Sequence, residues 1–161
     1  MSESLEAQLK RIDAEEKTLV FASFTNDDAW ALGQRLAEKA RARSLPVAID
    51  VERCGERLFY AALPGSTPDN AAWIERKKRL VNRTRRSSFA VGLDLRLQGK
   101  SIEQRMLLPE SEYAPHGGCV PVVVAQVGFV GTVTVSGLPQ EQDHALVIEA
   151  MREHLAGHAK A

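Results

Sequence analysis

Apolar residues recur along this chain with two different periods, and the switches between them mark the elements. Leu5, Leu9 and Ile12 stand at helical spacing in a polar stretch, which predicts a short amphipathic helix over residues 3–16. "TLVFASF" (18–24) reads as a strand or an extended lead-in. The next segment opens on capping residues and acids and carries Ala29, Leu32, Leu36 and Ala40 as one stripe. Lys and Arg gather towards its end, as the helix dipole favours, and Pro46 stops it.

The period then changes to two. Val47, Ile49 and Val51 alternate with Ala48, Asp50 and Glu52, Cys54-Gly55 marks a turn, and Leu58 and Tyr60 mark a return strand, so a β-hairpin is predicted. Thr67, Pro68 and Asp69 open a helix that carries a dense basic run. Phe89, Leu93 and Leu97, spaced by four, predict another. Residues 101–113 read as short helical turns broken by Pro109. A second hairpin pivots at Gly128, and a last helix runs from about Pro139 to His158. This order predicts an α+β sandwich with an antiparallel sheet flanked by helices.

The second hairpin carries the first candidate site. Antiparallel pairing around 126–128 sets Gly118 and Cys119 opposite Val135 and its neighbours. The His116-Gly117-Gly118 loop and the Ser136-Gly137 exit then share one end of the sheet with the start of the last helix, whose amides carry partial positive charge. His144 precedes the stripe Ile148, Met151 and Leu155, so it sits on the inward edge of that helix, within reach of His116. Two readings stand: a well-made corner of the fold, or a ligand or catalytic site.

Lys77 is the second candidate. On the basic helix, Trp73, Ile74, Leu80, Val81 and Thr84 define the apolar side at roughly 100° per residue, and Lys77 falls in its middle. Such a lysine either snorkels or pairs with an anion. Asp50, Glu52, Asp143 and an anionic ligand are the partners to weigh.

Composition narrows the classes. The chain has 161 residues, 44% of them hydrophobic and 26% charged, the range of one compact domain with its core over about 18–156. Its 21 basic residues balance 21 acidic ones, so no global field draws in nucleic acid or anionic lipid. No signal peptide and no membrane-spanning run is visible, and a cytoplasmic location is expected. Cys54 and Cys119 have neither disulfide nor zinc spacing. His154 and His158 lie one turn apart in an Ala/Gly-rich end and read as surface residues, so no metal site is assigned. Phosphate-loop, dinucleotide, nucleophile-elbow and zinc-protease motifs are absent.

Four ordered blocks then carry a resemblance: "LPVAIDVERCGERLFYAALPGSTPDNAAWIERKKRLV", "SSFAVGL", "YAPHGGCVPV" and "GTVTVSGLPQEQDH". With them the chain, from about Leu19 to Leu155, resembles the heme-degrading-domain family, whose relatives include GlcG-like and HbpS-like proteins and the C-terminal domain of PduO proteins. The resemblance implies a profilin-like α-β-α sandwich around a five-stranded antiparallel sheet, and assembly into homo-oligomers. It implies heme or another small anionic ligand; the family's blocks fall on Lys77, Gly117, Gly118, Ser136, Gly137 and Asp143, and the hairpin reading adds His116 and His144 as candidate ligands. The alternative is a non-catalytic homo-oligomeric adaptor that uses the basic helix as an interaction surface.

Overall fold

The computed structural model describes residues 2–159, with six helices and five strands among them. Helix α1 (Leu5–Lys17) begins at Ser4, whose hydroxyl accepts the Ala7 N–H. Strand β1 (Val20–Phe21) leads into α2 (Asn26–Ala42), started by a Thr25/Asp28 capping box. Strands β2 (Ala48–Arg53) and β3 (Glu56–Ala62) are joined by Cys54 and Gly55, both at positive φ, as a two-residue type I′ turn requires.

Helix α3 (Pro68–Thr84) has proline in its first turn and ends where Arg85 turns left-handed. Helices α4 (Ser88–Gln98) and α5 (Ile102–Met106) are capped by Ser87 and Ser101. Strands β4 (Cys119–Val124) and β5 (Gly128–Ser136) form the second hairpin, followed by α6 (Gln140–Ala159).

The strands lie in the order β1-β4-β5-β2-β3. Three neighbouring pairs are antiparallel, but β1 runs parallel to β4. The sheet is therefore mixed, which corrects the expected all-antiparallel one. A hairpin fixes the direction of its second strand; β1 reaches β4 from far along the chain, and its direction follows from feeding α2 across one face of the sheet. Residues 18–24 accordingly contribute only two paired positions, Val20 with Val123 and Phe21 with Val124.

The two faces of the sheet differ. Ile49, Val51, Val120, Val122, Val133 and Val135 join the apolar stripes of α2 and α6 in the main core. The alternate positions turn to α3, and beside Ala48 and Cys119 they include the buried polar residues Asp50, Thr132, Thr134 and Ser136. Helix α3 thus covers a polar floor. Helix α1 packs outside this frame, with Ile12 against Phe89, Ala90 and Leu93 of α4. None of the described helices is long and apolar enough to cross a membrane.

Candidate functional site

The polar floor explains the misplaced lysine. Lys77 reaches from α3 to the end of β5, where its Nζ lies 3.2 Å from the Val135 carbonyl and 3.2 Å from Asp143 Oδ2. Both charged side chains are almost fully buried, at 4% and 2% exposed. Asp143 also accepts the backbone N–H groups of Gly137 and Leu138, so one carboxylate ties the lysine to the start of α6. Burial pushes Asp143 above and Lys77 below their ordinary ranges, and each charge opposes the shift of the other.

The paired glycines make room for this contact. Gly118 has φ +137°, and a Cβ there would stand 2.4 Å from the Val135 carbonyl oxygen and 2.6 Å from Lys77 Nζ. A Cβ on Gly117 would stand 2.4 Å from the Gln140 carbonyl oxygen, and its N–H donates to Gln140 Oε1 at 3.0 Å. The loop is closed against α6, and its glycines are buried behind the site.

In front of the pair opens a cleft of about 290 Å³ between the first half of α3 and the start of α6. Asn70, Trp73, His116 and Leu138 wall it, with Lys77 and Asp143 at the back. Ser136 and Gly137 line it too, and the Ser136 hydroxyl accepts from Asn70 Nδ2 at 3.4 Å. His116 sits edge-on to Trp73, ring centroids 5.5 Å apart, at the open rim. Its partial burial, then the charges of Lys77 and Arg76, hold its pKa below the ordinary imidazole value. Arg76 stacks on the same tryptophan at 4.4 Å and donates to the Glu110 carbonyl.

Of the residues expected to gather, Lys77, His116, Ser136, Gly137 and Asp143 line this cleft. His144 does not, which corrects the expected approach of the two histidines. Consecutive helical residues point about 100° apart, so Asp143 turns to α3 while His144 turns to α1 and α4. The His144 ring packs on Phe89 at 4.9 Å, and its nearest carboxylate is Glu15, 3.8 Å from Nε2. Both ring nitrogens are buried and lack a hydrogen-bond partner. His144 borders a separate cavity of about 380 Å³ between α1 and α6, with Arg11 and Arg152.

One further expectation changes. His154 is buried, packed on Phe21 at the α2–α6 contact, while His158 is exposed as expected. Cys119 is buried at the head of β4, and that burial pushes its thiol up to about 12, as for a small core residue.

Lys78 is a second buried charge on α3, outside the set of sequence candidates. It lies buried beside Lys77, with Nζ 2.6 Å from Glu52, 3.3 Å from Asp50 and 3.2 Å from Glu75. Burial lowers its pKa, and the three carboxylates outweigh that and raise it. Its signal was present in Ile74, Lys78 and Val81, at spacings of four and three.

Residues 24–152 match the family described as "Haem degrading protein HbpS-like". The chain belongs to this HbpS-like family. A UPF0303 protein of Streptomyces coelicolor is 55% identical over 144 residues, covering 89% of this chain and 91% of that protein. Another, from Paraburkholderia phytofirmans, is 51% identical and covers 93% and 90%. Among solved structures, Ybr137w is similar at TM-score 0.86 and 31% identity, covering 92% of this chain and 88% of its own. The structure described as a PduOC:Heme complex shares the fold at TM-score 0.65 and 18% identity, covering 83% and 94%. HbpS does so at TM-score 0.63 and 18% identity, covering 81% and 89%.

Proposed function

We propose that this HbpS-like chain binds a small molecule bearing an anionic group in the cleft between α3 and α6, with heme the first candidate to test. The observation that carries this reading is Lys77. Its ammonium has three N–H donors, and the described residues offer it two acceptors, Val135 O and Asp143 Oδ2. The third N–H, at the back of an open cleft, supplies the charge-assisted bond that a carboxylate seeks. The backbone N–H groups at the start of α6 add favourable potential for the same group.

The cleft volume sits at the lower end of ordinary ligand pockets, roughly 300–1,000 Å³. It suits a small acid, or the propionate edge of a heme whose macrocycle extends past Trp73. In that case Lys77 would hold the propionate. His116 would be the imidazole free to meet the iron, because the His144 nitrogens are buried. The iron would supply the redox chemistry.

Titrating the purified protein with hemin and following the Soret band tests this. A saturable shift is expected, weakened at least tenfold in Lys77→Met and His116→Ala and unchanged in His144→Gln. No shift, or one insensitive to the first two variants, overturns heme as the ligand of this cleft.

A second reading, the homo-oligomeric adaptor, draws on one observation. Val20 and Val127 are exposed at the β1 edge and the β4–β5 turn, with Arg79, Arg83 and Arg85 exposed on and just after α3. Light scattering decides it: a multiple of the chain mass that falls in Val127→Asp or in Arg79→Glu/Arg83→Glu supports it, and a monomer ends it.

A further inference from the structure

Helices α2 and α6 lie side by side and are joined by a ladder of ion pairs. Arg43 meets Glu149, Lys39 meets Glu149 and Glu153, and Arg35 meets Glu153. At the next step the pattern changes. Asp28, in the first turn of α2, faces two imidazoles one helical turn apart, His154 and His158.

Asp28 is held from behind. Its Oδ2 accepts the Thr25 N–H at 2.8 Å and the Thr25 hydroxyl at 3.1 Å. Its Oδ1 lies 3.2 Å from His158 Nε2 and 3.8 Å from His154 Nε2. The three ligand atoms all fall within 4.8 Å of one another. Two atoms each about 2.1 Å from one metal stand roughly 3.0–3.4 Å apart at octahedral to tetrahedral angles. Small rotations of the side chains therefore suffice to close on an ion.

The tautomer fits as well. His158 Nδ1 lies 2.9 Å from the His154 carbonyl, an acceptor only, so Nδ1 carries the proton. That leaves the neutral His158 ring with its Nε2 lone pair turned to a carboxylate oxygen, two acceptors face to face. A cation between them resolves the conflict, and this backing of an imidazole by a carbonyl is the usual arrangement around a ligating histidine. His154 is anchored by its burial against Phe21, while His158 stays exposed and gives an ion access.

We propose that Asp28, His154 and His158 bind one divalent transition-metal cation of the zinc class at the α2–α6 contact. Two imidazole nitrogens and one carboxylate oxygen suit zinc, cobalt, nickel or copper, whereas calcium and magnesium seek all-oxygen sites. Three protein ligands leave a position for water or an exogenous ligand. This site shares no residue with the Lys77 cleft and does not depend on its function.

The test uses the full chain without a histidine tag, with exposed Cys54 replaced by serine and chelator-stripped. Calorimetry with Zn²⁺ and visible spectroscopy with Co²⁺ read the binding. One ion per chain is expected, with affinity at least tenfold weaker and the cobalt bands lost in His158→Ala and in Asp28→Asn. His158 is exposed, so its variant keeps the fold, which circular dichroism verifies. No saturable binding means that a proton alone joins His158 to Asp28 and overturns the proposal. Binding unchanged in both variants marks an adventitious ion only and overturns it too.

Discussion

Gly118 shows how one residue without a side chain organises this site. Its place in the sequence read as a turn; its role is to let a buried ammonium and the β5 carbonyl pass within a few ångströms of its Cα. Gly118→Ala is expected to destabilise the protein by about 1–3 kcal/mol, because neither the backbone carbonyl nor Lys77 has room to withdraw. Chemical denaturation measures this. His116 offers a second residue-scale check. Arg76→Gln removes a nearby positive charge, so the His116 pKa is expected to move up towards 6.5 in NMR titration. The sign for stability follows from the lowered folded value. The His116 contribution is complete above the unfolded value of 6.5 and is lost as pH falls from there through the folded value, because the unfolded chain takes up the proton first.

Helix α3 is the element on which sequence and structure diverge most usefully. Its phase placed Lys77 on the buried side, and it is buried; the same phase missed Lys78, whose two apolar neighbours at three and four positions were hidden inside a basic run. The reason is that the sheet face beneath α3 is polar. Asp50, Thr132 and Thr134 look like solvent-facing alternates in a strand, and only the three-dimensional arrangement reveals a helix over them. Burying both charges of the Lys77–Asp143 pair also sets what happens when one is removed. Lys77→Met is expected to cost about 3–5 kcal/mol, since Asp143 is left buried without its cation. Lys77→Met/Asp143→Asn is expected to lose clearly less than the sum of the single changes, as a double-mutant cycle by urea unfolding will read.

Across the whole molecule, the hairpins, the capped helices and their order were legible because each rests on local periodicity and turn chemistry. The parallel β1–β4 edge was not, because it joins segments about a hundred residues apart and leaves only two paired positions to read. The separation of His116 from His144 had the same origin. Hairpin geometry brought the right segments to one end of the sheet, but one helical step between Asp143 and His144 sends them to different cavities. The molecule thus presents two candidate recesses, one with an accessible imidazole and a buried ammonium, the other with a buried imidazole between α1 and α6. Mapping backbone amide shifts with isotope-labelled protein on adding metal-free protoporphyrin IX distinguishes them directly. Shifts centred on Asn70, Trp73, Lys77, Gly137 and Gln140 are the expected result; shifts centred on Glu15, His144 and Arg152, or none at all, would contradict binding at the α3–α6 cleft.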